Sequence, residues 1–354
     1  MLRYPFVQLV VLVLLGVASG TFECGGAHPT APQARGEYVY ARMCAVCHGP
    51  RGQGYAADRA PTLTHADYLA AVDDAYLRTA INEGRSGTTM SAWSAFRGGP
   101  LSLDDANAVV AFLRTFADGP PATLDTHPTH GDASRGGDLF ARDCAACHGE
   151  RGMEGTFVGI GNPDLLRSAS DGFLRQAIVD GRPGTPMPAF AERLGPNGVD
   201  DVLATLRDWQ KHAPPTLKPP AKLPPLPLGP VPLNPAGPEP DGFAATPQTT
   251  KLDVVKAQLD RGARMALLDA RAPSDYVVEH IGGSVSVPFY DPDPYVGQLP
   301  RDAWLVCYCS CPHAESGQLA AKLQGKGFTK VTVLDEGLRV WKAKGYAVKG
   351  GFDP

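Results

Sequence analysis

Residues 144–148 read Cys144-Ala-Ala-Cys147-His148, and residues 44–48 read Cys44-Ala-Val-Cys47-His48. In each, two thiols fall on one helical turn, where both can add to the vinyl groups of a haem, and the histidine that follows lies under the iron. The pentapeptide is a covalent haem c attachment sequence, and its duplication organises the chain up to residue 212. The flanks repeat as well. Short helical stretches (36–42 and 136–142) lead into each motif, and His-Gly-x-Arg-Gly follows from His48 and from His148. Downstream, Ala60-Pro61-Thr62-Leu63 answers Asn162-Pro163-Asp164-Leu165, and Tyr76-Leu77-Arg78 answers Phe173-Leu174-Arg175. Apolar residues then recur at helical spacing until a glycine, Gly84 or Gly181, ends the helix. Gly84-Arg85-Ser86-Gly87-Thr88-Thr89-Met90 parallels Gly181-Arg182-Pro183-Gly184-Thr185-Pro186-Met187, with Ser91 where the second copy has Pro188. An amphipathic helix closes each copy, at 104–116 and 200–209.

Over residues 35–117 and 134–212 this pattern resembles the class I c-type cytochromes. The resemblance implies two all-α domains and two covalently bound haem c groups. It also implies iron held by His48 and Met90 in the first domain and by His148 and Met187 in the second. Each methionine stands roughly forty residues after its histidine, enough chain for a helix to pass round the haem edge and return on the opposite face. Met153 is too close to His148 for that, and His65, an alternative sixth ligand in the first copy, has no counterpart in the second. The family pattern further implies that the carbonyls of Pro61 and Pro163 accept the Nδ1 hydrogen of each histidine, fixing its tautomer. His/Met ligation leaves no open coordination position and suits electron transfer. Domains of about 80 residues have meagre cores of their own, so the haem should serve as their apolar centre.

The chain of 354 residues carries a net charge of −4, with no basic footprint for nucleic acid. Residues 1–20 pair Arg3 with an apolar run and a small-residue end, the pattern of a signal peptide for export to the periplasm; an uncleaved anchor is the alternative. Cys24 is either a lipid-bearing first residue, giving a membrane tether, or part of a plain mature N-terminus near Thr21. Four of the eight cysteines belong to the haem motifs, leaving Cys24, Cys307, Cys309 and Cys311, so no disulfide framework is expected. Residues 118–132, with His127 and His130, read as a solvated connection. Residues 213–247 form a second linker, with 12 prolines among the 28 residues of 213–240. It prefers polyproline II and would reach on the order of 85 Å if extended. Its leucines, Leu217 to Leu233, predict that part of it lies on a domain surface.

After Thr250 the pattern alternates helix and strand: helices at 252–259, 314–323 and 338–344, strands at 265–269, 284–288, 304–309 and 331–335. That spells α/β with a parallel sheet. Residues 250–350 resemble a rhodanese-like domain through Leu268-Asp269-Ala270-Arg271, Glu279-His280-Ile281-Gly282-Gly283, and Leu334-Asp335-Glu336-Gly337 with Trp341. The resemblance implies a loop cysteine that carries sulfane sulfur as a persulfide, its thiolate stabilised by loop N–H groups and the next helix. Cys309 holds the place when counted along the strand, and Cys311 when counted back from Ser316. Extended, the pair would have Cα atoms about 6.6 Å apart, near the limit for a disulfide. Asp269 and Arg271 read as fold-stabilising, and Cys307 as a buried hydrophobe. The usual Arg near the loop's end is missing; His313 offers the one possible cation, opposed by Glu315.

The whole predicts an exported dihaem electron carrier, coupled to sulfane-sulfur or thiol redox chemistry at Cys309 and Cys311, with a redox protein partner. A sulfurtransferase or a sulfur/thiol oxidoreductase would fit. The alternative is a pure electron-transfer protein whose rhodanese-like domain is a non-catalytic binding module.

Overall fold

A computed structural model of the chain describes residues 29–216, 218, 231–311 and 313–351. The expected leader, Cys24, and residues 217 and 219–230 of the proline-rich linker lie outside the described residues.

The first helical unit opens with α1 (Pro32–Val39), which runs through a π turn at Tyr40–Cys44 into α2 (Ala45–His48). It continues with α3 (Ala66–Ala71), α4 (Asp74–Glu83) and α5 (Leu103–Arg114). The second unit repeats this with α6 (Ala133–Asp143), α7 (Ala145–His148), α8 (Pro163–Ser168), α9 (Asp171–Asp180) and α10 (Ala191–Lys211), which kinks at Gly195. Side-chain caps start matching helices: the Asp73 carboxylate accepts from Tyr76 N at 2.7 Å, and Ser170 Oγ from Phe173 N at 3.1 Å. Both helices end on a glycine of positive φ, 63° at Gly84 and 66° at Gly181.

In each unit the first helix crosses the last at a glycine. A Cβ on Gly36 would stand 1.9 Å from the Ala108 carbonyl oxygen, and one on Gly136 would stand 1.9 Å from that of Asp201. Only the absence of a side chain lets these backbones touch. Across the second crossing Arg135 clamps the buried Asp201 carboxylate through two bonds of 2.6 and 2.8 Å.

The third unit holds β1 (Thr249–Thr250), α11 (Leu252–Asp260), β2 (Met265–Asp269), α12 (Pro273–Val278), β3 (His280–Ile281) and β4 (Ser284–Ser286). It ends with β5 (Trp304–Tyr308), α13 (Ala314–Gly325), β6 (Val331–Leu334), α14 (Gly337–Ala343) and β7 (Val348–Lys349). Five parallel strands lie in the order β1-β6-β5-β2-β4, and β3 pairs antiparallel with β7. The sheet is the α/β architecture expected, with local departures: the short strand β1 was not foreseen, and β4 stops at Ser286 where a strand over 284–288 was expected. Helix α12 and the β3/β7 pair were not foreseen, being too short to show a period. Strand β5 stops at Tyr308, not at residue 309, because the chain turns away as Cys309 leaves the ladder.

The first helical unit and the sheet unit share one apolar core, in which Val39, Leu69, Trp93 and Leu113 join Leu268, Val285, Phe289 and Leu319. Trp93 meets Tyr290 with ring centroids 5.7 Å apart, Arg42 Nη2 donates to the Tyr290 carbonyl at 2.9 Å, and Ser91 Oγ donates to Asp275 at 2.6 Å. Of the linker, Val231 packs on this core, and Lys218 pairs with Glu83 and Asp164 across the two helical units.

Replacing Gly36 or Gly136 by alanine should cost about 1–3 kcal/mol through overpacking. Thermal melts of the holoprotein should fall by roughly 4–8 °C per kcal/mol. An unchanged melt for G36A and G136A would show that these helices do not touch.

Candidate functional site

The end of the π turn and helix α2 bring Cys44, Cys47 and His48 to a cavity of about 390 Å³ that Met90 also lines. The lining is chiefly apolar, with Tyr40, Leu63, Leu77 and Val109 among its members. His48 is buried, and its Nδ1 hydrogen goes to the Pro61 carbonyl at 2.8 Å, which leaves Nε2 free to face a metal. Burial lowers its pKa, opposed by the Pro61 carbonyl, so the neutral ring is favoured. The expected pairing holds in the first unit.

In the second unit His148 is also buried, but its Nδ1 hydrogen goes to Val158 at 3.0 Å. The expected Pro163 carbonyl is not used. Asn162 caps α8, accepting from Asp164 N and Leu165 N, so Pro163 is the first helical residue. Pro163 matches Pro61 by sequence, while the role of the Pro61 carbonyl falls to the loop ahead of it. No residue type marks a carbonyl acceptor, and only the chain's path could reveal Val158.

The methionine loops are near copies. Arg85 N donates to Met90 O at 2.8 Å and Arg182 N to Met187 O at 2.8 Å. Thr88 Oγ1 and Thr185 Oγ1 each donate to the arginine carbonyl at 2.7 Å, and accept from Met90 N and Met187 N at 3.1 and 3.2 Å. The Gly-Arg-x-Gly-Thr sequence thus builds a hydrogen-bonded loop that holds each methionine. His65 turns elsewhere, its Nε2 meeting the Pro183 carbonyl at 2.7 Å.

The donor set fits a covalently attached haem: two thiols one turn apart, an imidazole with Nδ1 engaged, and a thioether in the lining of the same chiefly apolar cavity. The walls are not all local. Met153, Val158 and Leu165 of the second unit and Glu315 of the third line the same cavity. Tyr76 and Phe173 meet across the two helical units as tilted rings with centroids 5.4 Å apart, and Asn162 Nδ2 donates to Ser86 O at 2.9 Å. Cys147 is exposed, so the second attachment site opens outward.

The cysteine loop lies at the carboxyl end of β5, beside that of β2, where parallel sheets form their sites. Cys309 and Cys311 are buried, with Sγ atoms 3.4 Å apart. Cys309 Sγ is 3.3 Å from Ser316 Oγ and 2.7 Å from the Cys311 carbonyl oxygen. Burial opposes ionisation of Cys309. Hydrogen bonds from the Cys311 thiol, the Ser316 hydroxyl and the first N–H groups of α13 outweigh it, and its pKa is lowered. Cys311, whose proton is shared with Cys309, is held protonated. Arg271 makes two-pronged contact with the buried Asp269 and reaches Ser310 Oγ at 3.2 Å, so the pair braces the loop. His313 bonds Asp335 at 2.6 Å instead of serving as the loop's cation. Cys307 sits wholly buried in β5, as expected.

Glu315 replaces a cation with a buried carboxyl. Its ligating oxygen and the two sulfurs of Cys309 and Cys311 lie within 4.8 Å of one another. Cys47 and Glu315 line the same cavity and α13 contacts α2, so this loop lies beside the first attachment site, where burial pushes the Cys47 thiol up.

Three family matches agree with this geometry. Residues 31–113 and 131–204 match the model "Cytochrome C oxidase, cbb3-type, subunit III", and residues 251–344 match "Rhodanese-like domain". The cbb3-type cytochrome c oxidase subunit FixP of Azorhizobium caulinodans is 33% identical over 174 residues, 47% of this chain and 56% of the relative. The cytochrome bc1 complex cytochrome c subunit of Corynebacterium efficiens is 26% identical over 200 residues, 51% of this chain and 64% of the relative. The chain spans little more than half the length of the curated relatives it matches. A solution structure of a rhodanese-like domain from Anabaena sp. is 30% identical, covering 29% of this chain and 78% of that one, with a TM-score of 0.27. No helix among the described residues is long and apolar enough to cross a membrane.

Burial, reinforced by the charges of Cys309 and Asp275, raises the Glu315 pKa well above the ordinary carboxyl value. The fold therefore binds its proton more tightly than the unfolded chain. The associated stability is full below the unfolded value near pH 4.3 and is lost as pH rises through the folded one. Glu315→Gln should flatten that decline and raise the melting temperature at alkaline pH. A melt with the same pH slope as wild type would remove Glu315 from the account.

Proposed function

Because this chain consists of two tandem c-type cytochrome domains, carrying two covalently bound haem c groups, and a C-terminal rhodanese-like domain, we propose that it is an exported electron carrier whose redox chemistry is coupled to a sulfur compound or thiol handled at Cys309. We place the three units at residues 35–117, 134–212 and 250–350. A redox protein partner completes the circuit, and the outward-facing Cys147 edge is where it would dock.

The observation that carries this reading is the placement of the cysteine loop: Glu315, in the first turn of α13, lines the first haem cavity together with Cys47, and its carboxyl oxygen lies within 4.8 Å of the Cys309 and Cys311 sulfurs. One-electron storage at iron is what the haem supplies when bound. The chain's own residues do the rest. Cys44, Cys47, Cys144 and Cys147 would attach it, and His48 with Met90 and His148 with Met187 would hold its iron. Cys309 is the nucleophile, since the helix N-terminus and Ser316 favour its thiolate. The burial of both loop cysteines favours a second reading, in which the rhodanese-like domain only covers the first cytochrome domain.

Met90→Leu and Met187→Leu should each remove about half of the far-red methionine–iron absorbance and lower the potential of one haem. A variant with the full band would reassign that ligand. Sulfane-loaded Cys311→Ser holoprotein should yield cyanide-labile sulfur that the further change Cys309→Ser abolishes. Because the thiolate is the reactive form and its pKa is depressed, loading should persist at mildly acidic pH, below the ordinary thiol range, and fail only at lower pH. Absence of cyanide-labile sulfur from C311S would leave only the second reading, and equal sulfur after the added Cys309→Ser change would remove Cys309 as its carrier.

A further inference from the structure

Both loop cysteines are shut away from solvent, at 1% and 0% exposure. Sulfur delivered to Cys309 is therefore out of reach of an outside thiol while the loop stays closed. One nucleophile is already inside. Cys311 Sγ is 3.4 Å from Cys309 Sγ, the separation of atoms poised to react. The loop makes this contact because β5 ends at Tyr308 and the chain folds back before α13. Arg271 holds Ser310, the residue between the two cysteines, at 3.2 Å.

We propose that Cys311 is a resolving cysteine: its sulfur attacks Cys309 Sγ once Cys309 carries a sulfane sulfur, expelling that sulfur as hydrosulfide and leaving a Cys309–Cys311 disulfide. This rests on the sulfur-handling reading of Cys309 and adds a second catalytic residue and a product. The bond from Cys309 to the outer sulfur breaks as the Cys309–Cys311 bond forms. The proton that Cys311 lends to Cys309 in the resting loop departs with the outer sulfur. Over loading and discharge together, the sulfane sulfur gains two electrons, and Cys309 and Cys311 give one each. No further oxidant enters. An external dithiol, supplying two electrons and two protons, reopens the disulfide for the next round.

The loop's composition agrees with that role. Among the described residues from Cys309 to the first turn of α13 no free cation stands ready for an oxyanion leaving group: His313 is engaged by Asp335, Glu315 is buried, and the neighbouring Arg271 is tied to Asp269 and Ser310. Hydrosulfide leaves as a compact monoanion that carries the Cys311 proton and has no oxyanion oxygens for such a cation to bind.

The test starts from fully reduced, desalted holoprotein under anaerobic conditions, which removes ferric iron as a competing oxidant of the dithiol. Wild type and Cys311→Ser are mixed with an equivalent of glutathione persulfide. Hydrosulfide is trapped with a bimane, and intact chains are weighed without reductant. Wild type should release about one equivalent of hydrosulfide per chain above the donor-only blank and become lighter by two hydrogens, with Cys309 and Cys311 in one cross-linked peptide. C311S should stay heavier by one sulfur atom at Cys309, with hydrosulfide release reduced at least tenfold. Wild type that keeps the added sulfur and forms no disulfide overturns the role of Cys311 while leaving Cys309 as sulfur carrier. Failure of C311S to take up sulfur at Cys309 overturns the sulfur-handling reading and this inference with it.

Discussion

The constraint on which the structure depends is the continuity of one apolar core through the first cytochrome domain and the rhodanese-like sheet. A helical unit of about 80 residues with this much glycine and proline buries too little surface to stand firmly alone. The haem supplies part of what is missing, and the neighbouring domain supplies more. Tyr290 and Phe289 reach Trp93 and the α1/α5 side of the cytochrome domain, so the rhodanese-like domain is packed against the first haem site as part of its wall. Its cysteine loop is thereby held close to Cys47.

That docking explains one of the three places where a proline of the second methionine loop is a serine or threonine in the first. The second copy follows Met187 with Pro188, whereas the first follows Met90 with Ser91. Ser91 is buried, and its hydroxyl donates to Asp275 of α12 at 2.6 Å. A proline there would offer no hydroxyl and would leave the Asp275 carboxyl, whose pKa burial already raises, without that donor. The departure from the repeat is thus a contact made only by the copy that has a rhodanese-like neighbour.

Much of this was legible in the sequence because repetition supplied its own control. The Cys-x-x-Cys-His motifs, the glycine helix ends and the Gly-Arg-x-Gly-Thr loops occur twice, and the loops close with the same hydrogen bonds. Strand and helix order in the third domain followed from periodicity over segments long enough to show one. What stayed hidden depended on the path of the chain. Val158 replaced Pro163 as the histidine's acceptor because a backbone carbonyl has no residue signature. Helix α12 and the β3/β7 pair were too short to register. The choice between Cys309 and Cys311 could not be made by counting, since the loop is longer than the pattern it was measured against. It was decided by which sulfur meets Ser316 and the start of α13.

The two cysteines also show why an extended-strand estimate misleads at a loop. Continued as a strand, they would point the same way with α-carbons near the limit for bonding, and any disulfide would be strained. The strand ends one residue earlier, so geometry along β5 no longer governs their spacing. The turn that follows brings the sulfurs into contact, and the same turn aims the helix N-terminus at Cys309. One change of direction after Tyr308 thus gives the loop two different thiols, one favoured as thiolate and the other held as its proton donor. Nucleophile and resolving group are separated by environment, since by sequence they are the same residue two positions apart.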